Sequence, residues 1–377
     1  MKRTALTTLL CAPALLFADD FQTADFSLRF PTTLSHFSPY GDVAAEAGSG
    51  TASLWGTAPN LAGLSWGLQS NPMKHPKGFD VDGIMSVQHS HLVFDQGQEI
   101  RFLSEALVFD LDESNVIRFA FVQGNSNSEI IRGYPVTFNF DLLGGRLDWG
   151  HKLSDDIRLG FGAGYSESEI TFRAPLFDAI HTDRDTWGVR GGISSSFWDD
   201  NVILGLMADY GQGRNHTVEQ LPSPTGQIIR TVESETIDQF YIRTGIAVAL
   251  DRPNPNLSSE DRKKEVYRSS WVNLDYEFSR FSGDHEALNN HRVLLGADYM
   301  WLNAVHLRGG VFVDGRGNAG WSTGLAIHVP TKSKGDYRNS FHIDIAYQSD
   351  AFPEVEQEFG RAQTLNISIA FQWGQNK

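Results

Sequence analysis

Segments of about ten residues in which apolar and polar side chains alternate recur along most of the chain. In one of them, Ile157, Leu159, Phe161 and Tyr165 share a face, while Arg158 and several glycines share the other. A period of two places successive side chains on opposite faces of a β-strand, so each segment predicts a strand with one apolar face. Strands of soluble proteins usually have about five or six residues, whereas a tilted membrane-spanning strand needs about 9–11. The segment length therefore favours membrane-spanning strands.

The segments are numerous enough to close a sheet on itself. About 14 can be traced between residues 84 and 375, and single-chain bacterial barrels have an even number of antiparallel strands. A soluble sandwich or a secreted β-helix would alternate too, but the polar faces here mix glycine with Arg, Asp, His and Asn, as the lining of a lumen would. Aromatic residues end several apolar rows, as in interfacial girdles: Tyr165, Tyr210, Tyr299 and Trp373. We predict an all-β fold, an antiparallel transmembrane β-barrel of about 14 strands with an N-terminal plug segment.

The N-terminus predicts export. Lys2 and Arg3 precede an apolar run that stops at Asp19, which is the pattern of a secretory signal peptide over residues 1–18. The run is too short to span a bilayer as a helix. The only cysteine of the sequence, Cys11, lies inside this segment. We therefore expect no disulfide framework in the exported chain.

The rest of the chain is expected to divide into two parts. Residues 19–83 are predicted to form an N-terminal plug or periplasmic segment, and residues 84–377 to form the barrel. The predicted location is the outer membrane of a Gram-negative-type envelope, with outer-membrane lipid, a small-molecule substrate and the barrel-assembly machinery as partners. The formal net charge of −15 argues against nucleic acid as a partner. No cofactor is expected.

The segment ahead of the predicted strands is rich in small residues and also carries apolar anchors. Residues 48–67 read GSGTASLWGTAPNLAGLSWG and show neither a helical period nor strand alternation. Glycine and alanine let a backbone approach a wall closely, and Trp55 is one of the apolar anchors. A barrel of this size encloses a lumen that can hold such a segment. We therefore predict that this segment folds into the lumen as a plug.

Part of this segment, SGTASLWGTAPNLAGL, is similar to the small-residue run ending in Asn-Pro-Ala-Gly-Leu near the N-terminus of the FadL/TodX family of outer-membrane transporters. A similar run occurs in the related PorV-like barrels. The resemblance implies a barrel of the predicted strand count with an N-terminal plug, in which Asn60, Ala62, Gly63 and Leu64 take the plug position. Transporter members of the family import long-chain fatty acids or aromatic hydrocarbons. The chain departs from the pattern in having Pro59 before the asparagine, and it shows no match for the family's ligand residues.

The polar faces of the predicted strands supply candidates for lumen-lining residues. They are Arg158, Arg190, Arg243, Trp271, Asp275, Glu277, His306, Arg308, His342 and Asp344. The favoured function is a channel or transporter for passive uptake of small, hydrophobic molecules. Because a path for such molecules needs an apolar pocket, this polar lining keeps open a general porin for polar solutes. A non-transport scaffold or shuttle barrel of a secretion system is a further alternative.

No enzymatic site is predicted. The strongest catalytic candidate is QHSH at residues 88–91, but adjacent strand residues point to opposite faces, so His89 and Ser90 cannot form a dyad directly. His89 and His91 share a face at a spacing that suits a metal, but no third ligand is in view, and no metal site is predicted. Residues 110–115 resemble the start of a calcium loop without its glycine, and are expected to form a solvated turn.

The connections predict an orientation. If the first strand runs outward, connections after odd-numbered strands are extracellular, and the longest of these is predicted at 211–236. Connections after even-numbered strands should be short periplasmic turns, to which 251–268 is an exception. In the fourth segment the apolar face switches sides near Gly144 and Gly145, which predicts a bulge or a bend.

Overall fold

In this computed structural model, the described residues run from Phe79 to Asn376, apart from short stretches in the connections. Those stretches are 96, 113, 130–136, 155, 175–176, 199–201, 223–226, 251–269, 284–286, 302–304, 316, 332–336 and 350–360. Three predicted features therefore lie outside the described residues: the signal peptide, the 251–268 connection, and the plug with Trp55, Asn60, Ala62, Gly63 and Leu64.

The described chain is built of β-strands. In chain order they are β1 Phe79–Phe94, β2 Glu99–Asp110, β3 Asn115–Glu129, β4 Thr137–Lys152, β5 Ile157–Ala174, β6 Phe177–Phe197, β7 Val202–Pro222, β8 Ile228–Ala249, β9 Trp271–Ser282, β10 Ala287–Trp301, β11 Val305–Asp314, β12 Ala319–Thr331, β13 Tyr337–Ser349 and β14 Ala362–Asn376. Within the described residues, no helix is long and apolar enough to cross a membrane.

The strands close into an antiparallel barrel. Each strand pairs with its neighbours in sequence, and β1 pairs with β14 from Phe79–Asn376 to Phe94–Ala362. The prediction of a closed barrel of about 14 strands is confirmed. The first strand begins at Phe79, so the boundary predicted at residue 84 falls inside it. Closure satisfies the backbone hydrogen bonds of both outermost strands, which an open sheet would leave unpaired.

The two ends of the barrel differ in the reach of their strands. We call the end that holds Phe79 and Asn376 the terminal end, and the opposite end the far end. At the far end, β6, β7 and β8 are extended to 21, 21 and 22 residues. The long loop predicted at 211–236 is wrong, because β7 continues to Pro222 and β8 begins at Ile228 as its hairpin partner. The first residues of β8 are exposed on both faces of the strand. The alternation of apolar and polar residues on which the prediction relied is therefore absent there.

The barrel reverses the usual distribution of side chains. Large apolar side chains are exposed on its outer face, as with Leu204 at 45% and Leu206 at 47%. Charged side chains are buried on the inner face, as with Arg118 at 1% and Asp148 at 0%. Such an arrangement would aggregate in water, but it suits a sheet whose outer face contacts lipid.

Aromatic side chains mark the two borders of this outer apolar band. The far-end aromatic row contains Tyr165, Trp187, Tyr210, Phe240, Phe278, Trp321 and Tyr347. The terminal-end aromatic row contains Phe109, Phe197, Tyr299, Trp301, Phe371 and Trp373. Neighbouring rings touch within both rows: Trp187 packs edge-on against Tyr210 at 5.8 Å and Phe109 against Trp373 at 6.0 Å. Girdles of this kind lie at the two membrane–water interfaces of outer-membrane barrels.

Of the bulge or bend predicted near Gly144 and Gly145, the bulge is wrong. Strand β4 keeps an unbroken register with β3 and with β5 through both glycines. Register shifts occur elsewhere, between Val81 and Gly83 and between Phe172 and Arg173. The apolar side chains of β4 change faces because the inner face itself becomes apolar toward the far end.

Candidate functional site

The inner face of the barrel carries an apolar cluster near the far end, which we call the inner apolar patch. Its members come from β1 to β6 and from β14: Leu92, Phe94, Ile100, Phe102, Val122, Phe138, Phe140, Leu142, Ile170, Phe172, Ile180 and Ala362. All are buried. The patch contains several aromatic rings that pack against one another on the inner face, so this part of the wall is apolar.

The rings of the patch pack closely around one glycine. Phe102 and Phe140 meet edge-to-face with their ring centroids 6.1 Å apart. Gly124 lies on the strand between them, and a Cβ atom there would stand 2.7 Å from the Phe102 ring and 3.0 Å from the Phe140 ring. Glycine is therefore required for this packing. Phe138 and Phe172 extend the patch, with ring centroids 5.5 Å apart.

The sequence did contain a signal for the patch. On β4, Phe138 and Phe140 point inward, whereas Leu147 and Trp149 further along the strand are exposed on the outer face. The apolar residues thus change parity while the strand stays regular. Several strands show this switch of apolar residues to the inner face at the same end of the barrel. A single strand considered alone does not reveal that these residues together form one patch.

On the terminal-end side of the patch, three arginines surround one carboxylate. Oδ2 of Asp148 lies 2.7 Å from Nη2 of Arg118, 2.8 Å from Nε of Arg146 and 3.1 Å from Nη2 of Arg190. Arg118 is the direct cross-strand partner of Asp148. Arg190 reaches it across β5 because the residue between them in the ladder is Gly162, which has no side chain. We call this group the Asp148 cluster.

A second buried carboxylate is held between two arginines. Glu277 on β9 pairs directly with Arg243 on β8 and with Arg292 on β10, so the three lie in one row of the sheet. Nε of Arg292 donates to Oε1 of Glu277 at 2.8 Å, and Nε of Arg243 donates to Oε2 at 2.9 Å. Each carboxylate oxygen therefore has its own guanidinium. Such pairing is what makes charges tolerable in a desolvated interior.

A third group joins β10, β11 and β13. His306 Nδ1 lies 2.7 Å from Oδ1 of Asp298, and Nε of Arg308 donates to Oδ2 of the same carboxylate at 3.0 Å. The guanidinium of Arg308 also contacts Asp344. Gly324 faces Arg308 on the intervening strand and leaves room for this contact.

The structure places all of the predicted lumen-lining residues on the inner face. Six join the charged groups just described: Arg190, Arg243, Glu277, His306, Arg308 and Asp344. Four lie on the inner face outside them: Arg158, Trp271, Asp275 and His342. Trp271 packs with Ile203 and Ala247. Sequence reasoning missed Arg118, Arg146, Asp148, Arg292 and Asp298, although each occupies an inward position of its strand.

A depression in the inner wall adjoins the Asp148 cluster. Its volume is about 30 Å³, and Gly162, Gly164 and Gly188 contribute to its lining. Arg146, Arg190 and Asp209 also line it. The glycines carry no side chains at this level, and the space that they leave is enough for about one or two water molecules beside the polar groups.

The residues considered for catalysis lie on different faces. His89 and His91 are on the outer face of β1, while Ser90 is buried on the inner face. Among the described residues, no group of three or more His, Cys, Asp or Glu side chains is arranged to hold a metal ion.

Asp112 is exposed in the connection between β2 and β3. Oδ1 of Asp112 accepts hydrogen bonds from the backbone N–H groups of Ser114 at 2.7 Å and Asn115 at 2.9 Å. The Ser114 hydrogen bond, followed by the side chain of Asn115, lowers the pKa of Asp112 below its ordinary value. The carboxylate closes the turn by itself, in the manner of an Asx-turn.

Comparison with solved structures identifies similar barrels. A FadL homologue of Pseudomonas aeruginosa has a TM-score of 0.54 and 11% identity, over 89% of this chain and 98% of that one. The toluene transporter TbuX of Ralstonia pickettii has a TM-score of 0.53 and 10% identity, over 90% and 99%. At such identities these two matches establish a shared fold, that of FadL-like barrels. No protein-family model matches the sequence, and no curated protein matches it significantly.

Proposed function

We propose that the protein is an outer-membrane channel for passive uptake of small hydrophobic molecules. The observation that carries the proposal is the inner apolar patch, whose rings are packed together in the structure and would contact an apolar solute that enters among them. The exposed apolar band and its two aromatic rows support a membrane location. The fold shared with a toluene transporter and a FadL homologue is consistent with this use of the barrel.

Position within the barrel supports uptake from outside. If the terminal end faces the periplasm, the far end faces the medium, and the patch lies nearer to the medium than the charged clusters do. Phe94 ends β1, and Phe138 lies near the start of β4, so both are next to the far-end connections. The charged clusters lie deeper and are internally paired.

Polar solutes are the second candidate, supported by the depression beside the Asp148 cluster. Arg146, Arg190 and Asp209 line it, so the inner wall is polar and charged at this level. A porin of this kind would select by charge and size rather than by apolar contact.

The test is uptake by intact Gram-negative cells whose outer membrane limits entry. We expect Phe140→Ser to lower the initial uptake rate of labelled toluene about fivefold, the ratio for roughly 1 kcal/mol of lost apolar contact. Phe312→Ser is the matched control, because Phe312 is also buried on the inner face but lies outside the patch. Both variants are compared at equal amounts of folded barrel.

Two results would contradict the proposal. One is equal toluene uptake in wild type, Phe140→Ser and cells without the protein. The other is that the protein speeds entry of a small sugar while toluene entry stays unchanged, which would support the porin.

A further inference from the structure

The outer face of β1 to β3 departs from the apolar band that surrounds the rest of the barrel. On β5 to β14, none of the described outer-face side chains between the two aromatic rows is charged. On β2, Glu105 is exposed on that face. It lies well inside the strand, which runs from Glu99 to Asp110.

The neighbours of Glu105 show that it stands within the apolar band. Across the strands it pairs with Val87 and Phe121, and along β2 it is flanked on the same face by Leu103 and Leu107. Val87, Leu103 and Phe121 are all exposed. A carboxylate in such surroundings would face hydrocarbon if lipid covered it, and charges on the lipid face destabilise a membrane barrel. A protein cover at this position would supply the polar partner that lipid tails lack.

The same face carries basic side chains that can pair with such a carboxylate. His89 is exposed on β1, one outward position above Val87 and diagonal to Glu105. Closer to the far end on this face, Oε2 of Glu99 lies 3.1 Å from Nε2 of His91 and 3.4 Å from Nη2 of Arg101. Charges of both signs thus occur side by side, which fits a surface that pairs with a copy of itself.

His89 and Glu105 lie at similar levels along the barrel axis. A twofold axis parallel to the barrel axis brings together residues at the same level, so it can pair them. The ladder row through Val87, Glu105 and Phe121 continues to Tyr165 and Trp187 in the far-end aromatic row. The row therefore climbs toward the far end from β1 to β6, as strand tilt requires. This climb raises Glu105 above Val87 and brings it close to the level of His89.

We propose that two copies of the chain associate through the outer face of β1–β3, with His89 of each copy paired to Glu105 of the other. Copies in one membrane share their orientation, so a twofold axis must run along the membrane normal, and an isologous contact makes each pair occur twice. Met85 and Phe121 supply apolar contact around the pairs. The inference goes beyond uptake and rests only on the membrane location.

The first test is oxidative crosslinking in native membranes. Val87→Cys lies beside the proposed axis, and Leu274→Cys on β9 is the control, since Leu274 is also exposed in the apolar band but on the opposite wall. We expect a species of twice the chain mass for Val87→Cys and none for Leu274→Cys. Equal crosslinking by both variants, crosslinking by neither, or an adduct to a different protein would overturn the proposal.

The second test measures the mass of the purified protein in mild detergent by light scattering. Wild type should be a dimer, and Glu105→Gln should raise the dimer dissociation constant at least about tenfold, because one member of each covered charge pair is lost. Glu233→Gln on the exposed part of β8 is the control and should leave it unchanged. A monomeric wild type, or equal effects of the two variants, would overturn the proposal. Recovery of the protein without detergent would instead remove the membrane location itself.

Discussion

At the residue scale, the inner wall depends on where side chains are missing as much as on where they are present. Arg190 reaches Asp148 over Gly162, and Phe102 meets Phe140 over Gly124. In both cases a glycine on the intervening strand lets two distant strands share a contact. A glycine on the intervening strand thus permits both the contact between buried charges and the contact between buried rings.

Asp148 is the residue on which the first charged cluster depends. Asp148→Ala leaves Arg118, Arg146 and Arg190 buried around an empty centre, and removing one partner of a buried ion pair costs about 3–5 kcal/mol. We expect a clearly lower midpoint for the unfolding of the purified barrel in urea. Asp141→Asn is the control, since Asp141 is exposed on the outer side of the same strand. An unchanged midpoint for Asp148→Ala would show that the cluster does not stabilise the barrel.

Alternation predicted which face a residue occupies, but not which residue it meets. Arg190 and Glu277 were assigned to the lumen from parity alone, and the structure places both on the inner face. The contact of Arg190 with Asp148 depends on the register of three strands and on the glycine between them. Register is a property of pairs of segments, so a single strand pattern does not contain it.

At the scale of elements, the β7–β8 hairpin shows where strand prediction from apolar alternation ends. Residues 228–234 are exposed on both faces, yet they keep their ladder with β7. A strand beyond the membrane needs only its hydrogen bonds, so its sequence carries no apolar row. The predicted loop failed for this reason.

The hairpin also gives a test of orientation. A protease site inserted within 223–226, between β7 and β8, should be cleaved on intact cells, because the far end is expected to face the medium. A site inserted within 302–304, at the terminal end, should be cleaved only after the outer membrane is opened. Immunoblotting of cells with and without permeabilisation measures both. The opposite pattern would show that the barrel is inserted the other way.

The β2–β3 turn gives a test of pH dependence. The pKa of Asp112 is lowered in the folded turn, so the carboxylate stabilises the turn above its ordinary pKa of about 4, and this stabilisation is lost as the pH falls through the lowered value. We expect the hydrogen-exchange protection of the Ser114 and Asn115 amides to fall in that acidic range. Asp112→Asn should remove the pH dependence. Protection that falls equally in both proteins would contradict the assignment.

At the scale of the whole molecule, the strand number and the closed antiparallel topology were predictable from the sequence. Each strand that crosses an apolar layer must repeat the same alternation over a similar length, so the pattern recurs and can be counted. The inner apolar patch was not predicted, because it exists only when several strands come together at one end. The same holds for the polar outer surface around Glu105.

Both the proposed uptake and the proposed association of two copies require that the exposed apolar face of the closed barrel contacts lipid. The direct measurement is the mobility of the purified protein on a denaturing gel, with and without boiling, after extraction from membranes. We expect that detergent is needed to keep the protein in solution, and that the unheated sample migrates faster because the closed barrel resists unfolding. A protein that is soluble and monomeric without detergent, with the same mobility before and after boiling, would contradict the account.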